Sequence, residues 1–180
     1  MKAPTSVFCP MVWYLLGAYT VFRGHSDTPY FELWDRVYSY PEATMEPKGV
    51  IFAMRVALHF SNMRRIEQLI VQSAKRINMS ISPVQCGMLI RMYARTNTRD
   101  RMCRVLDIAL KKQLVIAGAY LDVALQYFLS NNDKEGFEQA ARYFYTLESR
   151  FNPNTLDLLS KAAALWPDSQ DIQQAIESAN

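Results

Sequence analysis

Glycine occurs only six times in 180 residues, and no Asn-Gly or Asp-Gly pair is present. Tight hairpins between strands depend on such turns, so a β-rich fold is not expected. Cysteine is equally sparse. Cys9, Cys86 and Cys103 are an odd number, far apart and set in apolar stretches, the pattern of reduced, buried thiols in a reducing compartment and not of a disulfide framework. His25 and His59 are the only histidines and no Cys-x-x-Cys pair exists, so no metal-ligand spacing is present and no cofactor is implied. Glycine-rich phosphate loops, Gly-x-Ser-x-Gly elbows and His-Glu-x-x-His helices are also missing, which points away from an enzyme and a small-molecule substrate. His25 reads as a turn residue, and Cys86 and Cys103, with no base beside them, as small buried groups. One apolar run, Met11 to Phe22, stands behind Lys2. It is too short to span a bilayer, lacks a small-residue cleavage pattern and carries Trp13, Tyr14 and Tyr19, so it reads as a buried helix. The first 26 residues contain no acid, as in mitochondrial import sequences, but they are poor in arginine.

Half of the residues are apolar and 12% are aromatic, enough for a sizeable core. Their spacing repeats. Steps of 36, 36, 35 and 35 residues superpose Leu33, Leu69, Val105, Ala140 and Ala175, and beside them Trp34, Ile70, Leu106, Ala141 and Ile176. Three positions earlier the same steps align Tyr30, Ile66, Met102, Phe137 and Ile172, giving the i, i+3, i+4 stripe of one helix face. A preceding helix shows in Gly17, Ala53, Leu89, Ala124 and Leu159, followed four residues on by Val21, Ala57, Tyr93, Phe128 and Ala163. Polar breaks at 24–28, 61–64, 96–100, 130–135 and 166–170 separate the two helices, and Pro10, Pro47, Pro83, Gly118 and Pro153 precede or open the first of each pair. These features predict one all-α domain of about five helix-turn-helix hairpins, at 11–46, 47–82, 83–117, 118–152 and 153–180. A single hairpin cannot hide its apolar face, so the units are expected to stack as an α-solenoid with a continuous core. Met54, Met88, Met92 and Met102 belong to that core. The chain stops at Asn180, at the close of the fifth hairpin, with no evident polar capping helix, which leads one to expect either a covering chain or a longer parent.

Helical hairpins of this length resemble pentatricopeptide repeats, most closely in the stretch from Pro83 to Ala117, which holds Met88, Leu89, Ile90, Met92, Tyr93, Asn97, Met102, Val105 and Leu106. The resemblance implies a right-handed superhelix that binds RNA along its first helices, in an organellar setting such as the mitochondrial matrix. It implies a ribonucleoprotein, a mitochondrial ribosome or an RNA-processing complex, with other protein subunits as neighbours. In that family two side chains per repeat read a base. At the matching places this chain has Leu15 with Glu46, Ile51 with Ser82, Gly87 with Ala117, and Asp122 with Asn152. Only the last pair is polar without a large apolar group, so the expected contact is with the phosphate backbone and not with a coded base sequence. Trp13, Leu16 and Gly17 are similar to the opening of a tetratricopeptide repeat, but its next aromatic falls on Thr20. That family implies the alternative, a protein adaptor for an acidic surface; a structural subunit of a mitochondrial complex is a third reading.

Charge is uneven. From Lys48 to Lys112 there are 13 Lys and Arg against 3 acids, a net +10 within a chain whose total is +3. The repeat register puts Arg55 and Arg91 in one first-helix column and His59 and Arg95 in the column four residues later. By the resemblance these four share the concave face, as a ladder for phosphates. A solvated basic face is the plain alternative. Arg64, Arg65, Arg99, Arg101 and Arg104 fall at turns or on second helices and are expected to widen the positive field, Arg64, Arg65, Arg99 and Arg101 as further RNA contacts.

Overall fold

The structure, a computed structural model, describes residues 10–24, 26–40, 43–147 and 151–179. Cys9 and His25 lie outside the described residues. Those described form ten helices and no strand: α1 Pro10–Arg23, α2 Thr28–Tyr38, α3 Pro47–His59, α4 Met63–Ile77, α5 Pro83–Arg95, α6 Arg99–Lys111, α7 Gly118–Ser130, α8 Lys134–Thr146, α9 Pro153–Leu165 and α10 Gln170–Glu177. The expectation of an all-α chain holds, and the helices alternate with the breaks as the polar segments require. None is long and apolar enough to cross a membrane.

Local chemistry fixes the boundaries. Proline stands in the first turn of α3, α5 and α9, where its missing N–H leaves no intrahelical bond unmade. Ser82 and Gln85 close a capping box on α5, and Asn152 and Thr155 close one on α9. The turns between paired helices repeat in backbone detail. Ser61, Asn97 and Asn132 adopt left-handed φ values of 55°, 52° and 52°. The next residues, Asn62, Thr98 and Asp133, donate their N–H to the carbonyls of Ala57, Tyr93 and Phe128 at 2.8, 2.9 and 2.9 Å, so each turn satisfies the orphan carbonyls of the helix it ends. These positions are 36 and then 35 residues apart, the spacing of the apolar columns.

The chain divides into two compact units, residues 1–81 and 82–180. In the first, α3 packs closely on α1 and α4, whereas the α1 and α2 backbones stand further apart and meet through large side chains. Its core is aromatic. Trp13 lies 4.7 Å from Trp34, which lies 4.6 Å from Tyr38, and Trp13 Nε1 donates to Tyr38 Oη at 3.1 Å. A buried cluster of this kind contributes both apolar area and ring-edge attraction. Because only one side of α1 is covered, the reading of Met11 to Phe22 as a buried helix is corrected: Trp13 and Gly17 are buried, but Tyr14, Leu15, Ala18, Tyr19 and Phe22 face solvent.

In the second unit the first helices succeed one another, α5 against α7 and α7 against α9, and the second helices do likewise, α6 against α8 and α8 against α10. Each first helix also packs on its own second helix. The two layers enclose Met88, Ile90, Met92, Leu106, Leu125, Phe128, Phe137 and Phe144, all fully buried. At about 1.5–3 kcal/mol for each large apolar side chain, this burial is the main stabilising term. The Tyr143 hydroxyl accepts the Ile116 N–H at 3.1 Å and so satisfies a buried donor. Cys86 is buried and Cys103 half-buried, both as free thiols; burial pushes the Cys86 thiol up to about 11, which keeps it protonated and unreactive near neutrality.

Candidate nucleic-acid interface

The basic residues singled out by the repeat register fall into two kinds, those held within the fold and those presented to solvent. Arg65, on α4, is of the first kind. Its guanidinium meets Asp35 of α2 through two bonds of 2.9 and 2.8 Å and lies 4.5 Å from the Phe31 ring centroid. Arg99, at the start of α6, donates to both oxygens of Asp133, at 2.5 and 3.1 Å, and to Glu135 at 2.9 Å. Both arginines are fastened by forked, charge-assisted bonds one repeat away. Arg142 repeats the device toward Asp171 at 2.8 Å, and Tyr145 Oη donates to the same carboxylate at 2.5 Å. Arginine staples therefore join α2 to α4, α6 to the α7–α8 turn and the head of α8, and α8 to α10. Arg65 and Arg99, expected among the RNA contacts, are thus paired with acids that residue spacing does not show.

The staple at Asp133 is also a helix cap, since its Oδ1 accepts the Gly136 N–H at 3.0 Å. The hydrogen bond from Arg99, and after it that from Gly136, hold the Asp133 carboxyl below its ordinary range. A lowered folded-state value stabilises above the unfolded pKa of about 3.9 and is lost as pH falls through the folded value. Asp133→Asn is therefore expected to retain the cap and lose the charge pair. It should cost at most about 1 kcal/mol at pH 7, because the Arg99 side chain is 38% exposed and solvent screens the pair, and nothing further in acid. Asp133→Ala loses the cap as well, about 1 kcal/mol more. Urea midpoints at pH 7 and pH 3 check both statements: the difference between the natural chain and Asp133→Asn should shrink at the lower pH.

Residues of the second kind lie chiefly on first helices. Arg91 and Arg95 stand one turn apart on α5, both exposed, and Arg91 has no intramolecular partner among the described residues. Arg95 borders a groove lined by Ala119, Asp122, Val123, Gln126, Tyr127 and Ser130 of α7, by Asn131 just after it and by Asn154 of α9. Tyr127 Oη donates to Asn97 at 2.6 Å, and Gln126 Nε2 to Ser130 at 3.0 Å. The groove thus has a cationic edge at Arg95 and a largely apolar lining with amides and hydroxyls set along it. Repeat spacing named Arg95; the amide and hydroxyl residues of the groove were not singled out, though exposed polar residues on and just after the first helices are the signal that would have found them. In the first unit Arg55 and His59 are exposed on α3, with the Arg55 guanidinium 5.4 Å from the Phe52 centroid and the His59 ring edge-on to Phe60 at 4.9 Å. Arg64 is exposed on α4 and Arg101 on α6.

Asp122 and Asn152, the one pair of those positions with hydrogen-bonding side chains at both places, are turned to each other. Asn152 Nδ2 donates to Asp122 Oδ2 at 2.8 Å, and Thr155 Oγ1 donates to Asp122 Oδ1 at 2.6 Å. Asp122 is buried and each of its oxygens accepts one bond from the head of α9 or its cap, so the pair closes a helix junction.

Compared with models of known protein families, with curated proteins and with solved structures, the chain matches none of them.

Proposed function

We propose that the chain is a non-catalytic subunit of an organellar ribonucleoprotein, wound as a right-handed α-solenoid, that takes the phosphate backbone of RNA on its first helices and neighbouring proteins elsewhere. The observation that carries the reading is the separation of arginines in the structure: Arg65 and Arg99 are tied to acids, whereas Arg91 and Arg95 are exposed one turn apart on α5, Arg95 at the edge of a groove. An exposed i, i+4 arginine pair is a phosphate clamp in form. Arg55 and His59 form a second such pair, and Arg64 and Arg101 extend the positive field. The mitochondrial matrix is supported by the family resemblance and by the acid-free first 26 residues.

Binding of a single-stranded oligo(U) measured across a salt series tests the proposal. Arg91→Glu with Arg95→Glu should weaken binding about tenfold at physiological salt and make the dependence on log[salt] shallower by roughly one to two charges. An affinity and slope equal to those of the natural chain would leave the groove without a role. Partners that survive nuclease treatment, with negligible oligo(U) binding, would favour the protein adaptor instead, a reading supported by the solvent-facing apolar side of α1.

A further inference from the structure

Four large apolar side chains of α1 stand in solvent: Tyr14 is 48% exposed, Leu15 60%, Tyr19 56% and Phe22 89%. Single exposed apolar residues are ordinary on any surface, but a contiguous stripe is not. Leu15, the exposed Ala18 and Phe22 follow one another at i, i+3 and i+7, the spacing of a seam that receives a second helix, over roughly 10 Å of helix length. The opposite side of α1 is already spent, with Trp13 and Gly17 buried against α2 and α3.

Charge at the edges selects the occupant. Arg23 closes the stripe, its Nε donating to Tyr19 Oη at 2.8 Å with the guanidinium 5.2 Å from the ring centroid. On the other side Tyr14 meets the Phe52 ring edge at 4.7 Å, and Arg55 lies over that ring. Neither α1 nor α3 contains an acid. Met1 to Cys9, ahead of α1, carry a lysine and no acid, so they lack the charge that this face calls for.

We infer that the outer face of α1 docks an amphipathic helix of another protein, with an aliphatic stripe set on Leu15, Ala18 and Phe22 and with glutamates or aspartates along its flank facing Arg23 and Arg55. Apolar contact supplies the affinity, and the arginine rim sets partner choice and orientation. Arg23, already held by Tyr19, loses little freedom when it meets a carboxylate. The inference does not rest on the RNA reading: Arg55 alone is shared with it, and the apolar stripe and Arg23 are not.

The test uses the full chain and three labelled 18-residue helical peptides: one with leucine and isoleucine at a and d positions and glutamate flanks, one with the same stripe and lysine flanks, and one with glutamate flanks and a serine stripe. Fluorescence anisotropy should give saturable binding of the first peptide, at least about tenfold tighter than of either other. Leu15→Ser with Phe22→Ser should weaken it about tenfold while leaving thermal unfolding and oligo(U) affinity unchanged, and Arg23→Glu should shift preference toward the lysine-flanked peptide. No saturable binding, equal binding of the two charge versions, or indifference to the Leu15 and Phe22 changes overturns the inference. So would oligo(U) binding that falls with Phe22→Ser, which assigns the face to base stacking, or self-association that depends on Phe22, which makes a second copy the occupant. Loss of oligo(U) binding in the Arg91 and Arg95 variant with peptide binding intact separates the two proposals.

Discussion

Gly136→Ala should destabilise the second unit by about 2 kcal/mol, although alanine is the better helix former. Propensity alone favours alanine by about 1 kcal/mol inside a helix. Packing opposes it. A Cβ on Gly136 would fall within the van der Waals envelope of Phe128 Cδ1 and Cε1 and only 2.8 Å from Asp133 Oδ2. Phe128 is fully buried, so its ring has nowhere to swing, and overpacking of this kind costs about 1–3 kcal/mol. The upper end applies because two ring atoms and the capping carboxylate are struck at once. Gly87→Ala gives the contrast: its Cβ would meet Tyr120, but Tyr120 is half-buried and can turn outward, so the loss should be the smaller of the two. Phe128→Leu destabilises by itself, yet added to Gly136→Ala it should cost less than the sum of the single changes, because the smaller side chain yields the space. Urea unfolding of the four chains reads the coupling, and simple additivity would mean that the helix shifts and the ring does not matter.

The same glycine shows where sequence reasoning ends. Helix limits were legible because their causes are local: proline at Pro47, Pro83 and Pro153, and the polar breaks that end α3, α5 and α7. The apolar columns were legible because period and burial share one origin, and Leu69, Val105, Ala140 and Ala175 are indeed buried. Leu33 heads that column but is only half-buried, since it lines an open groove between α1 and α2, a circumstance that no spacing announces. Nor does sequence reveal that Gly136 must be small, because the obstacle is a ring eight residues back on another helix. Charges are the hardest case. Arg65 and Arg91 both belong to the basic block, but Asp35 stands opposite the first and nothing described stands opposite the second. What separates them is the partner's rotamer and distance, which a list of residue types does not hold. Opposite charges about one repeat apart, such as Asp35 with Arg65 or Arg99 with Asp133, are the nearest thing to a forewarning.

The largest loss of stability is expected of Asp122→Ala, about 3 kcal/mol. Asp122 accepts one bond from the Asn152 amide and one from the Thr155 hydroxyl, and the two donors form the capping box of α9. Thr155 is fully buried, so removing the carboxylate strands a hydroxyl away from water and frees the amide that orients the cap. Bonds to a charged group contribute about 1.5–3 kcal/mol each, and a stranded polar group costs about 1–3 kcal/mol. Relief of the buried carboxylate's own desolvation offsets part of that. Asp122→Asn is expected to fall between, because its oxygen can still receive Thr155 while its amide confronts the amide of Asn152, donor against donor. Adding Asn152→Asp should restore most of the loss, since the new carboxylate can accept from the new amide and still cap the Thr155 N–H. The exchange also bears on function. The resemblance to pentatricopeptide repeats puts base reading at these two positions, whereas the geometry commits both to each other. The doubly exchanged chain should therefore bind oligo(U), oligo(C) and oligo(A) in the same order of affinity as the natural chain. A change in that order would mean that Asp122 and Asn152 part company when RNA arrives and reach the bases after all.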